Sequence, residues 1–154
     1  PAFIEQLTGI SNAMLRTAPS AEQVMNEVNE FVGAIPLLAH NAAFDQKFWD
    51  FELGQIKRMR LQSFACSLLL ARRLMPGAPN HKLGTLTTFA NLPHTGKAHR
   101  AMADAEMAAN LTVHLAEELR QKHGVRELSH DLLCKLQKVP AAKVGEHLKR
   151  YRGF

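Results

Sequence analysis

Ile35-Pro36-Leu37-Leu38-Ala39-His40-Asn41-Ala42-Ala43-Phe44-Asp45 decides the fold. Its first five residues form a short apolar run, the pattern of a buried strand. Asn41 is placed to cap a helix on which Phe44, Phe48 and Phe51 recur at i, i+4 and i+7. A strand that delivers directly into a capped helix is an α/β device, and it puts side chains at the carboxyl end of a sheet, where ligands bind. The strand therefore predicts the fold class, and Asp45, in the first turn of the helix, becomes a candidate site residue.

The surrounding sequence reads as mostly helical. Ala21 to Val32 is a helix with Ser20 as its N-cap and Val24, Val28, Phe31 and Val32 on one face. A second strand is expected through Gln62 to Ala65, then a helix to Leu74 that Met75-Pro76-Gly77-Ala78-Pro79 breaks. Another helix runs from Lys82 to about Asn91. A long one runs from about Ala101 to Lys122, with Ala105, Ala108, Thr112, Leu115 and Leu119 on its packed face and Gly124 just past its end. Two more helices, near Glu127–Gln137 and Ala141–Arg150, close the chain.

A second acidic motif, His99-Arg100-Ala101-Met102-Ala103-Asp104, lies 59 residues after the first. Asp104 shares a helix side with Ala108, Leu111 and Leu115, and a carboxylate on an apolar face must be paired, protonated or bound to a cation. Two carboxylates and a histidine suit metal-assisted phosphodiester hydrolysis, in which acids hold divalent cations and a base deprotonates water.

Charge is unevenly spread within the overall net +5. Residues 1–53 carry two basic and seven acidic side chains, whereas residues 54–100 carry eight basic and none acidic. That stretch holds Lys57, Arg58, Arg60, Arg72, Arg73, Lys82, Lys97 and Arg100, and a field of this kind favours polyanions. The basic tail Lys149-Arg150-Tyr151-Arg152 reads as a frayed terminus. No apolar run approaches the roughly 18–20 residues of a membrane-spanning helix. Cys66 and Cys134 fit no disulfide framework or zinc spacing and read as reduced cytoplasmic thiols.

Together these motifs resemble the DEDDh-type 3′→5′ exonucleases, the family of the epsilon proofreading subunit of bacterial DNA polymerase III. Leu7-Thr8-Gly9-Ile10 is similar to the family's loop at the terminal nucleotide. Leu38 to Asp45 matches its second motif, Leu70-Ala71-Arg72-Arg73-Leu74-Met75-Pro76 and His81-Lys82-Leu83 follow at the usual spacing, and Ala98 to Ala105 matches its third. The resemblance implies an α/β, ribonuclease H-like fold. It makes Asp45 and Asp104 metal ligands and His99 the general base, with Gly9, Ile10, His40 and Phe44 lining the pocket for the 3′ nucleotide. The implied reaction releases nucleoside monophosphates from a nucleic-acid 3′ end with two Mg²⁺ or Mn²⁺, in proofreading or repair.

Two departures stand out. The family's early Asp-x-Glu motif is absent, and Cys66-Ser67 stands where relatives carry Asp followed by Ser or Thr. The expectation is an exonuclease domain over residues 1–124, N-terminally truncated, with a C-terminal helical extension over 125–154. Half of the metal carboxylates are then missing, and the chain alone is expected to be inactive. The expected partners are a single-stranded DNA 3′ end (RNA is possible), a polymerase subunit, and a second copy covering the strand near Ile35–Ala39; no membrane is expected. The rival readings are a non-catalytic nucleic-acid-binding or polymerase-interaction module, and a helical adaptor built on residues 125–154.

Overall fold

In the computed structural model, which describes residues 2–93 and 101–152, the expected strand is β1, Leu37–Ala39. It pairs in parallel with β2, Phe64–Cys66, in the register Leu37 to Phe64 and Ala39 to Cys66. Parallel pairing requires a crossover, and α4 (Ala42–Gln55) supplies it. Both strands are shorter than the apolar runs suggest, and β2 begins two residues later. Pro36 has no N–H to donate to a ladder, and Ile35, before it and outside β1, is 65% exposed.

Before this unit lie α1 (Ala2–Thr8), α2 (Asn12–Leu15) and α3 (Ala21–Val32). Ser20 caps α3 as expected, its hydroxyl accepting from the Gln23 N–H at 3.2 Å. The apolar face of α3 finds little cover: none of its residues is buried, and Phe31 is 86% exposed. The phenylalanine stripe of α4 behaves the same way, with Phe44, Phe48 and Phe51 all exposed.

The core forms on the other side. After β2 come α5 (Ser67–Leu74), α6 (Leu83–Phe89), the long α7 (Ala101–His123) and α8 (His130–Leu136), then α9 (Val144–Leu148) between two short 3₁₀ turns. Leu70, Leu86, Leu111, Leu115, Leu119, Leu132, Leu136 and Leu148 are fully or almost fully buried in one apolar cluster, so residues 125–152 share the core of α5 to α7. Gly124 ends α7 in the left-handed conformation (φ 68°), and Val125 N–H reaches back to the Leu119 carbonyl at 3.1 Å. The buried face of α7 runs through Ala103, Met107, Ala108, Leu111, Leu115, Ala116 and Leu119, rotated from the expected one: Ala105 is exposed and Thr112 half-buried. The tail is tied down to Arg152, which forms a bridge with Val125 and donates from Nε to the His123 carbonyl at 3.0 Å.

The C-terminal helices also close one edge of the sheet. Cys66 N–H donates to Gln137 Oε1 at 2.6 Å, and Gln137 Nε2 donates to the Phe64 carbonyl at 3.1 Å. One side-chain amide thus replaces a neighbouring strand at the outer edge of β2. The outer edge of β1 has no strand beside it among the described residues. Beside it Met25, Leu37, Leu38, Phe44, Phe48, Trp49 and Phe64 line an apolar groove of about 410 Å³. No helix among the described residues is long and apolar enough to cross a membrane.

Candidate active site

β1 stops at Ala39, His40 turns the chain, and Asn41 takes the left-handed conformation (φ 68°). Asn tolerates that region better than other non-glycine residues. Asn41 occupies the N-cap position of α4, but its side chain makes no capping hydrogen bond. This tight turn leaves Phe44 and Asp45 in the first turn of α4, beside the end of β1. On the facing helix α7, Asp104 is likewise in the first turn and half-buried.

Asp45 and Asp104 line one cavity of about 1000 Å³. Leu38 and Ala39 of β1 form one wall, and Ala105, Ala108, Ala109 and Thr112 of α7 form the other. The small residues of α7 at these positions leave the slot open; Ala108 is buried at its base, whereas Ala105 is exposed and Thr112 half-buried. His40, Asn41 and Phe44 complete the lining. The Phe44 ring packs tilted on Phe48, with centroids 4.8 Å apart.

Four of the expected site residues therefore converge: Asp45, Asp104, His40 and Phe44. Gly9 and Ile10 do not line this cavity. Gly9, left-handed at φ 71°, ends α1 by donating to the Glu5 carbonyl at 2.7 Å, and Ile10 is 43% exposed. His99 lies outside the described residues.

His40 is bound at both ring nitrogens. Nδ1 lies 3.0 Å from Ser67 Oγ, and Nε2 lies 3.0 Å from the His81 carbonyl oxygen. Burial lowers its pKa below the ordinary histidine value and outweighs the His81 carbonyl, which acts the other way; the charge of His81 lowers it too, and Asp45 raises it. The neutral ring is the favoured form near pH 7. Ser67, fully buried at the start of α5, lines neither cavity but supports His40 from behind, a contact that sequence reasoning missed. The only signal for it was its place after Cys66.

A second cavity shares His40, Asn41, Leu83 and Asp104 with the first and continues past them to Arg72, Asn80, His81 and Lys82. One end of the combined groove is acidic and the other is cationic. Lys97 and Arg100 of the acid-free stretch lie outside the described residues; of the other six basic residues, Arg60 and Arg73 are used structurally. Arg60 pairs with Asp50 at 2.6 Å and donates to the Gln62 carbonyl, and Arg73 donates to the carbonyls of Val139 and Leu69.

The donor set suits a hard divalent cation, since carboxylate oxygens are the preferred ligands of Mg²⁺ and Mn²⁺. Its size does not suit two: among the described residues no group of three or more His, Cys, Asp or Glu side chains is arranged to hold a metal ion.

A helix-rich α/β unit with two acids converging at the carboxyl end of a parallel strand is the architecture of the ribonuclease H-like exonucleases. The chain belongs to that class: the RNase T family profile, described as Exonuclease, matches residues 1–112. Among similar proteins, DNA polymerase III subunit epsilon of Aquifex aeolicus (strain VF5) is 34% identical over 126 residues, 81% of this chain and 62% of that protein. The 3′-5′ exonuclease DinG of Bacillus subtilis (strain 168) is 38% identical over 125 residues, 79% of this chain and 13% of DinG. A PolC-type DNA polymerase III of Caldanaerobacter subterraneus subsp. tengcongensis is 34% identical over 130 residues, 83% of this chain and 9% of that protein. The chain thus spans less than two thirds of the length of each of these relatives. Its family points to a nuclease function.

Proposed function

We propose that this chain carries part of a 3′→5′ exonuclease site acting on single-stranded nucleic-acid ends, with DNA as the expected substrate. The observation that carries the reading is the convergence of Asp45 and Asp104, from two separate helices, on one cavity. In this reading both carboxylates are metal ligands for Mg²⁺ or Mn²⁺, and His99 is the general base that takes the proton of the attacking water. His40 and Phe44 line the pocket of the 3′ nucleotide, and Phe44 offers an exposed ring on which a base can stack. Gly9 and Ile10 would join that pocket only by a rearrangement of the loop after α1. Divalent ions, when bound, stabilise charge on the attacking and leaving oxygens.

Two carboxylates are too few to hold a metal pair, so residues 1–154 alone are catalytically silent. The cationic end of the groove, with Arg72 and Lys82, favours a second reading in which the chain binds single strands without hydrolysing them. The polymerase names of the relatives make a polymerase subunit the expected protein partner, and proofreading or repair the expected setting, in the cytoplasm.

The test is release of nucleoside monophosphates from a 5′-labelled single strand with Mg²⁺ or Mn²⁺. We expect none above background from residues 1–154, and metal-dependent release once an Asp-x-Glu strand is fused upstream, abolished by Asp104→Ala. A fused protein that binds the strand but stays inactive would favour the binding module. Release by the unfused chain that Asp104→Ala removes would show that another carboxylate completes the site.

A further inference from the structure

His40 stands where three segments meet. It follows β1, its Nδ1 faces the first residue of α5, and its Nε2 faces the loop that leads into α6. A carbonyl oxygen only accepts, so the 3.0 Å contact to His81 requires a proton on Nε2. In the neutral ring Nδ1 is then an acceptor, and the donor beside it is the hydroxyl of fully buried Ser67. Both polar atoms of the ring are thereby committed to the protein. Yet the ring lines both lobes of the groove.

We infer that His40 is a positioning residue: as its Nε2–H tautomer it pins the end of β1 to α5 and to the 81–83 loop, and it turns only ring carbons to the groove. It therefore supplies neither a metal ligand nor a proton-transfer group. Its contribution is to fix the left-handed turn at Asn41, from which Asp45 is launched, against His81-Lys82-Leu83 on the other wall. One contact holds the acidic lobe and the cationic lobe in fixed relation, as a site with long-range geometry needs. This inference does not depend on the reaction proposed above and survives if no nucleic acid is cleaved.

The tautomer is read directly by long-range ¹H–¹⁵N correlation on the ¹⁵N-histidine-labelled protein near pH 7. We expect one neutral Nε2–H form for His40, assigned by its loss in His40→Phe. In His40→Phe, with helix content by circular dichroism unchanged, the amide resonances of Asn41 to Asp45 and of His81 to Leu83 should both move or broaden. His40→Gln places an amide N–H near the Nε2 position and should restore the 81–83 group but not the Ser67 side. An Nδ1–H tautomer, a charged ring near pH 7, or a His40→Phe spectrum unchanged in both stretches would overturn the inference. If His40→Phe does not fold, the resonances are assigned from His40→Gln instead, and the tautomer of the unaltered protein decides.

Discussion

Replacing Gln137 with alanine should destabilise the fold through the sheet rather than through α8, which ends one residue before it. Gln137 serves the outer edge of β2 twice, accepting from Cys66 N–H at 2.6 Å and donating to the Phe64 carbonyl at 3.1 Å. The two partners differ in what they lose. Phe64 O keeps a second contact, Cys134 Sγ at 3.5 Å, whereas Cys66 is 5% exposed and its N–H is left without an acceptor. A buried unsatisfied donor costs about 1–3 kcal/mol, and the bond to Phe64 adds about 0.5–1.5 kcal/mol. The variant is spared the entropy of ordering the glutamine side chain, which offsets up to about 1.5–2 kcal/mol because alanine has no rotamer freedom to lose. A net loss of about 2 kcal/mol is expected, visible as a lower urea midpoint with unchanged slope. In a domain of this length it also lowers Tm by roughly 4–8 °C. Gln137→Met, which keeps volume and loses both bonds, should fall with alanine. A change within about 0.5 kcal/mol for both variants, the range of ordinary surface substitutions, would refute the idea that this amide stands in for a strand.

Three further outcomes follow from the site and its surroundings. Mn²⁺ added to the protein should broaden amide resonances near Asp45 and Asp104 first, and Asp45→Asn or Asp104→Asn should weaken this by at least the roughly 10–100-fold seen on loss of an outer-shell partner; equal broadening in both variants would remove the carboxylates from the metal site. Binding of a single-stranded oligonucleotide, followed by fluorescence anisotropy, should weaken with salt, and Arg72→Ala or Lys82→Ala should each flatten the log–log slope by about 0.7. Arg60→Ala should leave that slope alone, since Arg60 is already paired with Asp50; a larger effect from Arg60 than from Arg72 would contradict the assigned groove. The bare edge of β1 and its apolar groove should drive self-association, so light scattering should show a concentration-dependent dimer that Phe48→Glu disfavours; a monomer at every concentration would rule it out.

What the sequence determined by itself was local. Ser20 before an apolar 3.6-residue pattern, the run Ile35–Ala39 that leads into the turn at Asn41, and Gly124 after α7 each specify conformation through groups within about four residues, where capping and turn chemistry act. The pairing of two acids with one cleft was legible because both sit in first turns of helices, one directly after a strand and one on an apolar helix side. What only the tertiary structure decided was which side chains are already committed. Arg73 looks as free as Arg72 in the sequence, but its partner carbonyl, Val139, is 66 residues away. Gln137 reaches β2 across 71 residues, and His40 reaches Ser67 across 27 and His81 across 41. The face that α7 buries was likewise set by its neighbours: α7 packs on α5 and α6 and Leu111 is buried in the shared core, while Ala105 and Thr112 are left to line the cleft. A hydrogen-bond partner or a packing face chosen by a remote segment leaves no periodic trace near the residue it engages, because local pattern encodes only what the backbone brings within a turn or two.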